Sequence, residues 1–399
     1  MQKTLVFYLT KVFCCDIICE DINLTGDFMN NKNEILLRDE EYLIGLRRLF
    51  ESFGYKKFKM RKFEKYDLYL ENKSFLRSGN IITVTDPKGR LLALKPDITL
   101  SIVKNVRADI LPEKLYYNES VYIADGGDGN IKESTQVGLE YIGNLDIRAL
   151  AEILFLASES LSRVDDNYRI AISHMSFVSD ILNDSGLSET DCNTVIELIS
   201  EKNLHGIKAL CKSLGVDVSV TDRICSLAFV CGELGKEIEN AKRFVCGSAS
   251  EAGYNELLAL SKVIEEFGLS DKFILDFSLM NDMNYYNGLV FQGFIQGVPK
   301  NVLSGGRYDN LVRRFGVETS AAGFAVFTDV LDNFRYRSEE FDYDVFLLYS
   351  KDCSVEKVLK AELKFSESGL RCIAFDSEPE GLKYKKKAIM SSDGSLKYE

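Results

Sequence analysis

The chain has 399 residues, of which 46% are hydrophobic and 28% charged, with only five prolines. That composition excludes collagen, low-complexity and wholly disordered chains, and the length suits roughly two to three domains with sizeable cores. With 49 basic against 61 acidic residues the net charge is −12, the wrong sign for a protein that grips DNA or tRNA non-specifically by its phosphates.

At the N-terminus Leu5–Ile18 is apolar but interrupted by Lys11 and Asp16. It is too short and too broken for a membrane span, and it lacks a small-residue cleavage site. Met29, followed by Asn30-Asn31-Lys32-Asn33, is a candidate initiator. Residues 1–28 are therefore expected to be a non-native or loosely ordered extension of a cytoplasmic protein.

From Glu40 to Phe53 apolar residues recur with helical spacing (Tyr42, Leu43, Leu46, Leu49, Phe50, Phe53), and Gly54 ends the run. Strands are expected at 81–84, 91–94, 115–122 and 136–142, separated by turns at Pro87-Lys88-Gly89 and at 125–129. A helix follows over 148–161. The stretch 175–267 is helical in period, broken near 183–186, 215–217 and 247. Strand patterning resumes at 272–277 and 288–295, a helix is expected at 308–315, and 321–327 reads as a buried strand feeding a last helix. Around 335–343 the apolar signal lapses, marking a linker. Beyond it come a strand (343–349), a helix (354–366), a strand (371–375) and a charged tail expected to fray from Lys383. The sum is an α+β chain: a core over 29–335 with a helical insertion at about 175–267, and a small α/β domain at 341–399.

Chemistry-bearing residues are sparse. Ten cysteines form no CxxC pair and two histidines are too few for a histidine metal cage, so no metal or cofactor is expected and the thiols read as free. There is no phosphate-binding GxxxxGK[ST]. Four segments are more specific. In Lys95-Pro96-Asp97-Ile98-Thr99, Asp97 and Thr99 either present a carboxylate and a hydroxyl to a bound amine or cap a helix. In Gln136-Val137-Gly138-Leu139-Glu140, two polar groups share a strand face across a glycine, which makes either a small polar pocket or ordinary half-exposed polarity. In Met280–Gly288, the adjacent Tyr285 and Tyr286 are expected on opposite faces, one lining a pocket and one packing. Ser304-Gly305-Gly306-Arg307-Tyr308-Asp309 reads as a turn that allows close backbone approach.

Together these segments resemble the catalytic core of class II histidyl-tRNA synthetases. Residues 54–64 are similar to that family's first motif, 114–143 to its second motif and the Gln-x-Gly-x-Glu after it, Leu279–Tyr286 to its LVRGLDYY segment, Gly305–Asp309 to its GGRYD and Gly323–Leu331 to its third motif. The resemblance spans about 35–333 and implies a six-stranded antiparallel sheet flanked by helices. It also implies that Asp97, Thr99, Gln136, Glu140, Tyr285 and Tyr286 hold histidine. Three cationic positions depart from the pattern. Tyr122 and Val330 stand where the family has ATP-binding arginines, and Asn281 where it has the arginine that supports activation. Adenylate formation needs fixed cations for its phosphate charge, so the resemblance implies a non-catalytic relative that keeps histidine recognition.

The regulatory subunits of ATP phosphoribosyltransferase, synthetase-like proteins of histidine biosynthesis, are similar in this way. That likeness implies a short-form catalytic subunit as partner in a hetero-octamer, histidine as feedback effector, a homodimer of the chain alone, and no tRNA, DNA or membrane. Residues 341–399 would then be a remnant of an anticodon-binding domain or a separate docking module. The alternatives are a synthetase-like amino-acid-binding module of another pathway, or an active histidyl-tRNA synthetase that uses Lys132 or Arg307 as its cation.

Overall fold

The computed structural model describes residues 38–76, 81–107, 109–124, 130–183, 185–279, 285–335 and 341–398. Residues 1–28 and Asn281 lie outside these. The chain divides into two compact units, one over Tyr42–Arg335 and a smaller one that includes 341–398.

In chain order the elements up to Arg335 begin with α1 (Arg38–Ser52), β1 (Lys56–Lys57), β2 (Phe63–Lys65), α2 (Tyr66–Glu71), β3 (Thr83–Thr85), β4 (Leu91–Leu94) and α3 (Thr99–Val103). Two long strands follow, β5 (Glu113–Ala124) and β6 (Ile131–Gly143), then α4 (Ile147–Ser162) and β7 (Tyr168–His174). Next come α5 (Met175–Asn183), α6 (Glu189–Ser200), α7 (Leu204–Ser213), α8 (Val218–Leu227), β8 (Cys231–Glu233), α9 (Leu234–Ala241) and α10 (Ser248–Glu266). The unit closes with β9 (Phe273–Asp276), β10 (Leu289–Ile295), β11 (Leu303–Arg307), α11 (Asp309–Arg314), β12 (Ser320–Phe327) and α12 (Thr328–Arg335).

Local chemistry sets several of these ends. Gly54, at φ +83°, turns the chain after α1, a conformation glycine adopts without strain. The Asp146 carboxylate accepts from the Ala149 N–H and so caps α4, as the Ser188 hydroxyl caps α6 by accepting from Asp191.

The main sheet has nine strands in the order β1-β5-β6-β12-β11-β10-β7-β9-β8. Its six central strands, β5 to β7 in that order, pair antiparallel, while β1/β5 and β7/β9 pair parallel and widen it. The six-stranded expectation therefore describes the centre, and the full sheet is larger and mixed. A second sheet, β2-β4-β3, is antiparallel.

Strand alternation splits the core between the two sheet faces. Val137, Leu139 and Tyr141 of β6 join α1 and α4 in one cluster with Leu46, Phe50 and Ile153. Residues 136, 138 and 140 turn to the other face, where Tyr117, Val121, Val290, Tyr308 and Leu311 form a second cluster with α3.

Three readings need correction. First, β7 is a strand immediately before the helical insertion, and β8 interrupts that insertion to pair with β9. Only Arg169 of β7 is exposed, so polar alternation does not announce it. Second, Ser304–Arg307 is not a turn but part of β11, in the middle of the sheet. Third, the charged tail does not fray. The smaller unit comprises β13 (Tyr343–Tyr349), α13 (Val355–Glu367), β14 (Cys372–Phe375), β15 (Tyr384–Met390) and β16 (Leu396–Tyr398), in the sheet order β14-β13-β15-β16. Lys385, Lys386 and Lys387 of the tail sit on β15, where Lys385 pairs with Asp344 and Lys387 with Glu378 at 2.6 Å each, while Ala388 and Met390 supply the core.

Candidate functional site

A cavity of about 160 Å³ opens on the second face of the main sheet and is lined by residues of α3, β5, β6, β11 and β12 together with the 285–286 segment. Asp97, Thr99, Gln136, Glu140, Tyr285 and Tyr286 all line it.

Glu140 forms its floor. It is 2% exposed, and each carboxyl oxygen already receives a hydroxyl. Thr99 Oγ1 donates to Oε1 at 2.9 Å, and the Tyr308 hydroxyl donates to Oε2. Burial drives the Glu140 carboxyl from its ordinary 4.5 up to about 8, with the nearby Asp97 charge pushing the same way and the two hydroxyls opposing. At neutral pH this group holds its proton. The phenols of Tyr285 and Tyr308 are likewise pushed well above 10 by burial.

Glycines make the floor possible. In register β12 places Gly323 opposite Glu140, and a Cβ there would fall 1.9 Å from Glu140 Oε2 and 2.2 Å from the Leu139 carbonyl oxygen. At Gly306 a Cβ would meet the Tyr286 ring at 2.7 Å. Gly306, expected in a turn, thus serves inside a strand, where its missing side chain admits a neighbour.

Asp97 has two roles. Its Oδ1 accepts from the Leu100 N–H at 2.7 Å, the capping role, and the residue also lines the cavity. Thr99 spends its hydroxyl on Glu140. Gln136, half-buried on the cavity wall, has no side-chain hydrogen bond among the described residues, so its amide is available to a ligand. The tyrosine pair is not split between two faces. Tyr285 and Tyr286 are 6% and 4% exposed, and their rings meet edge to face with centroids 4.7 Å apart. Both line the cavity, because residues 285–286 lie in a turn rather than a strand and side-chain alternation does not apply.

The positions expected to have lost arginines fall differently. Tyr122 does not line the cavity; its hydroxyl donates to Glu133 at 3.3 Å, while Val121 and Ile123 line the wall. Alternation along β5 therefore makes Ile123, not Tyr122, the side chain at that end of the wall. Val330 packs against the first core cluster. Asn281 lies outside the described residues. Among the lining residues Lys132 is the one cation, and its Nζ is 3.4 Å from Asp329 Oδ2, which also draws the Ser134 hydroxyl to Asp329 Oδ1 at 3.0 Å.

Tyr308 and Gly323 are the site residues that single-position reading passes over. Both stand in segments that the resemblance picks out, GGRYD and the third motif, but neither has a polar signal of its own pointing to Glu140. Arg307 and Asp309 lock the corner around Tyr308: the guanidinium meets the buried Asp309 carboxylate at 2.9 Å, and Asp309 Oδ1 accepts from the Ala321 N–H at 3.1 Å. Among the described residues no group of three or more His, Cys, Asp or Glu is placed to hold a metal ion, and no helix is long and apolar enough to cross a membrane.

Comparison with known proteins agrees with this architecture. The family model for histidyl-tRNA synthetase matches residues 35–331. The ATP phosphoribosyltransferase regulatory subunit of Clostridium acetobutylicum is 28% identical over 355 residues, covering 85% of this chain and 86% of the relative. That of Caldanaerobacter subterraneus subsp. tengcongensis is 32% identical over 286 residues, 70% of this chain and 74% of the relative. A solved Bacillus halodurans structure, described as an ATP phosphoribosyltransferase regulatory subunit/histidyl-tRNA synthetase, superimposes with a TM-score of 0.74 at 24% identity, over 89% of this chain and 93% of that one, and establishes the fold. The chain belongs to the histidyl-tRNA synthetase family of class II folds and, within it, to the ATP phosphoribosyltransferase regulatory subunits.

Proposed function

We propose that this chain is a non-catalytic subunit that activates the short catalytic subunit of ATP phosphoribosyltransferase and carries its feedback inhibition by histidine. The two would assemble as a hetero-octamer, built on a homodimer of this chain. The observation that carries the histidine part is the cavity floor. A buried carboxyl with two fixed hydroxyl donors, walled by Tyr285, Tyr286 and the unengaged Gln136 amide, suits a small polar ligand with a flat ring and N–H groups. The relatives' shared description as regulatory subunits supports the partner.

The other end of the cavity supports the non-catalytic reading. Amino-acid activation builds charge on a phosphate, which fixed cations must stabilise. The lining cation, Lys132, is paired with Asp329, and Ile123 supplies an aliphatic wall beside it.

Two assays together test the proposal. Histidine should bind the isolated chain in calorimetry, and the chain should give no histidine-dependent ATP–pyrophosphate exchange. Exchange at a synthetase-like rate would make the chain an enzyme. Absence of histidine binding would remove the effector role from this cavity.

A further inference from the structure

Glu140 poses a charge problem that its role as a ligand contact does not by itself answer. Its carboxyl is 2% exposed and holds Thr99 on one oxygen and Tyr308 on the other, yet among the described residues no Lys, Arg or His pairs with it. The groups that act on it are Thr99 from α3, Tyr308 from the β11–α11 corner, and the Asp97 carboxylate. Tyr285 and Tyr55 also feel its charge from their own elements. Lys132, the lining cation, stands eight residues away along the same strand. At about 3.3 Å per residue that is roughly 26 Å between backbones, too far to compensate it. An isolated buried carboxylate is costly, so a group without a cation takes a proton instead.

We propose that this end of the cavity takes its ligand's ring as a protonated nitrogen heterocycle, the ring receiving the proton that Glu140 gives up on binding. The inference rests on the histidine reading of the cavity and adds the charge state of the bound ring. In the step, the O–H bond of the Glu140 carboxyl breaks and an N–H bond forms on the neutral imidazole. A neutral pair becomes an imidazolium–carboxylate pair with no proton exchanged with solvent. The carboxylate then holds three donors, the Thr99 and Tyr308 hydroxyls and the ring N–H. A buried ion pair is tolerated only with such complete hydrogen bonding.

This coupling fixes a pH window. Between the ring's own pKa, about 6.5, and the raised value of Glu140, about 8, both partners start in the required forms. Below the window the free ring is already protonated and Glu140 must release its proton to solvent. Above it Glu140 is already ionised and the ring must take up a proton. Ring recognition weakens by about tenfold per pH unit on either side.

The test compares histidine with 1,2,4-triazole-3-alanine, which has the same backbone and a far less basic ring, by calorimetry from pH 5.5 to 9. The ratio of the two affinities cancels titration of the shared amino and carboxyl groups. Histidine should bind at least tenfold more tightly at pH 7, and Glu140→Gln should erase the preference. Equal affinities at pH 7, or a preference that survives in Glu140→Gln, would overturn the inference while leaving histidine binding intact. If the variant does not fold, the nitrogen shifts of ring-labelled histidine bound to the unmodified protein at pH 7 decide by themselves: two imidazolium-like nitrogens support the inference, and one unprotonated ring nitrogen counts against it. No histidine binding at any pH would overturn the cavity's assignment as well as this inference.

Discussion

Burial sets the ionisation of Glu140, and that has a consequence for stability apart from any ligand. Between pH 4.5 and about 8 the folded chain keeps a proton on Glu140 that the unfolded chain has lost. Stability therefore falls as pH rises through this range, by up to about 1.4 kcal/mol per pH unit from this group. Glu140→Gln should flatten that part of the profile, so that the variant gains in melting temperature relative to the parent at pH 8 compared with pH 5. Gly323 is the complementary position. A methyl 1.9 Å from Glu140 Oε2 cannot be accommodated without moving β12 or the carboxyl. Gly323→Ala should cost about 1–3 kcal/mol, as overpacking usually does, and weaken histidine binding as well. A variant with unchanged chemical denaturation and unchanged affinity would show that the register opposite Glu140 is less tight than described.

The elements differ in how openly their residues declare them. Helices α1 and α4 carry a one-sided apolar stripe with a glycine or an aspartate at one end, and the strand at Leu91–Leu94 sits between clear turns; both kinds of signal are local. β7 has no such signal, because Ile170, Ala171, Ile172 and Ser173 are all buried and a strand covered on both faces loses its alternation. β11 is masked in another way. Gly305-Gly306 has the composition of a turn, yet the room it leaves is filled by Phe291, Phe324 and Tyr286 from neighbouring segments, which only the assembled sheet reveals. The same holds for β15, where Lys385 is matched by Asp344 of β13 and Lys387 by Glu378 in the connection before the strand. The candidate site was legible as a set of segments. What joins them, the hydroxyl of Tyr308 on Glu140 and the space at Gly323, depends on pairings between residues 168 and 183 positions apart. At this level Tyr308→Phe is informative. Removing one of the two hydroxyl donors from a buried carboxyl should cost about 1–3 kcal/mol, read as a lower denaturation midpoint and as several-fold weaker histidine binding.

The molecule as a whole joins a class II fold, a cavity with an amino-acid-sized polar floor, and kinship with regulatory subunits. The fold alone does not assign a role, since the same architecture serves synthetases and regulators. On the proposed reading the division of labour comes from the cavity, with Glu140 as its ligand floor and an aliphatic wall at Ile123 beside a lysine already paired with an aspartate. Feedback further requires that histidine bind one state of the assembly more tightly than another, since a ligand shifts an equilibrium only by its differential affinity. Glu140→Ala should therefore relieve histidine inhibition while leaving activation of the partner in place. The most direct test is phosphoribosyl-ATP formation by the short catalytic subunit, measured with and without this chain and titrated with histidine. The result expected on the proposed function is stimulation by the chain that histidine reverses and that, in the Glu140→Ala variant, histidine no longer reverses. No stimulation, or inhibition that persists unchanged in the variant, would contradict it.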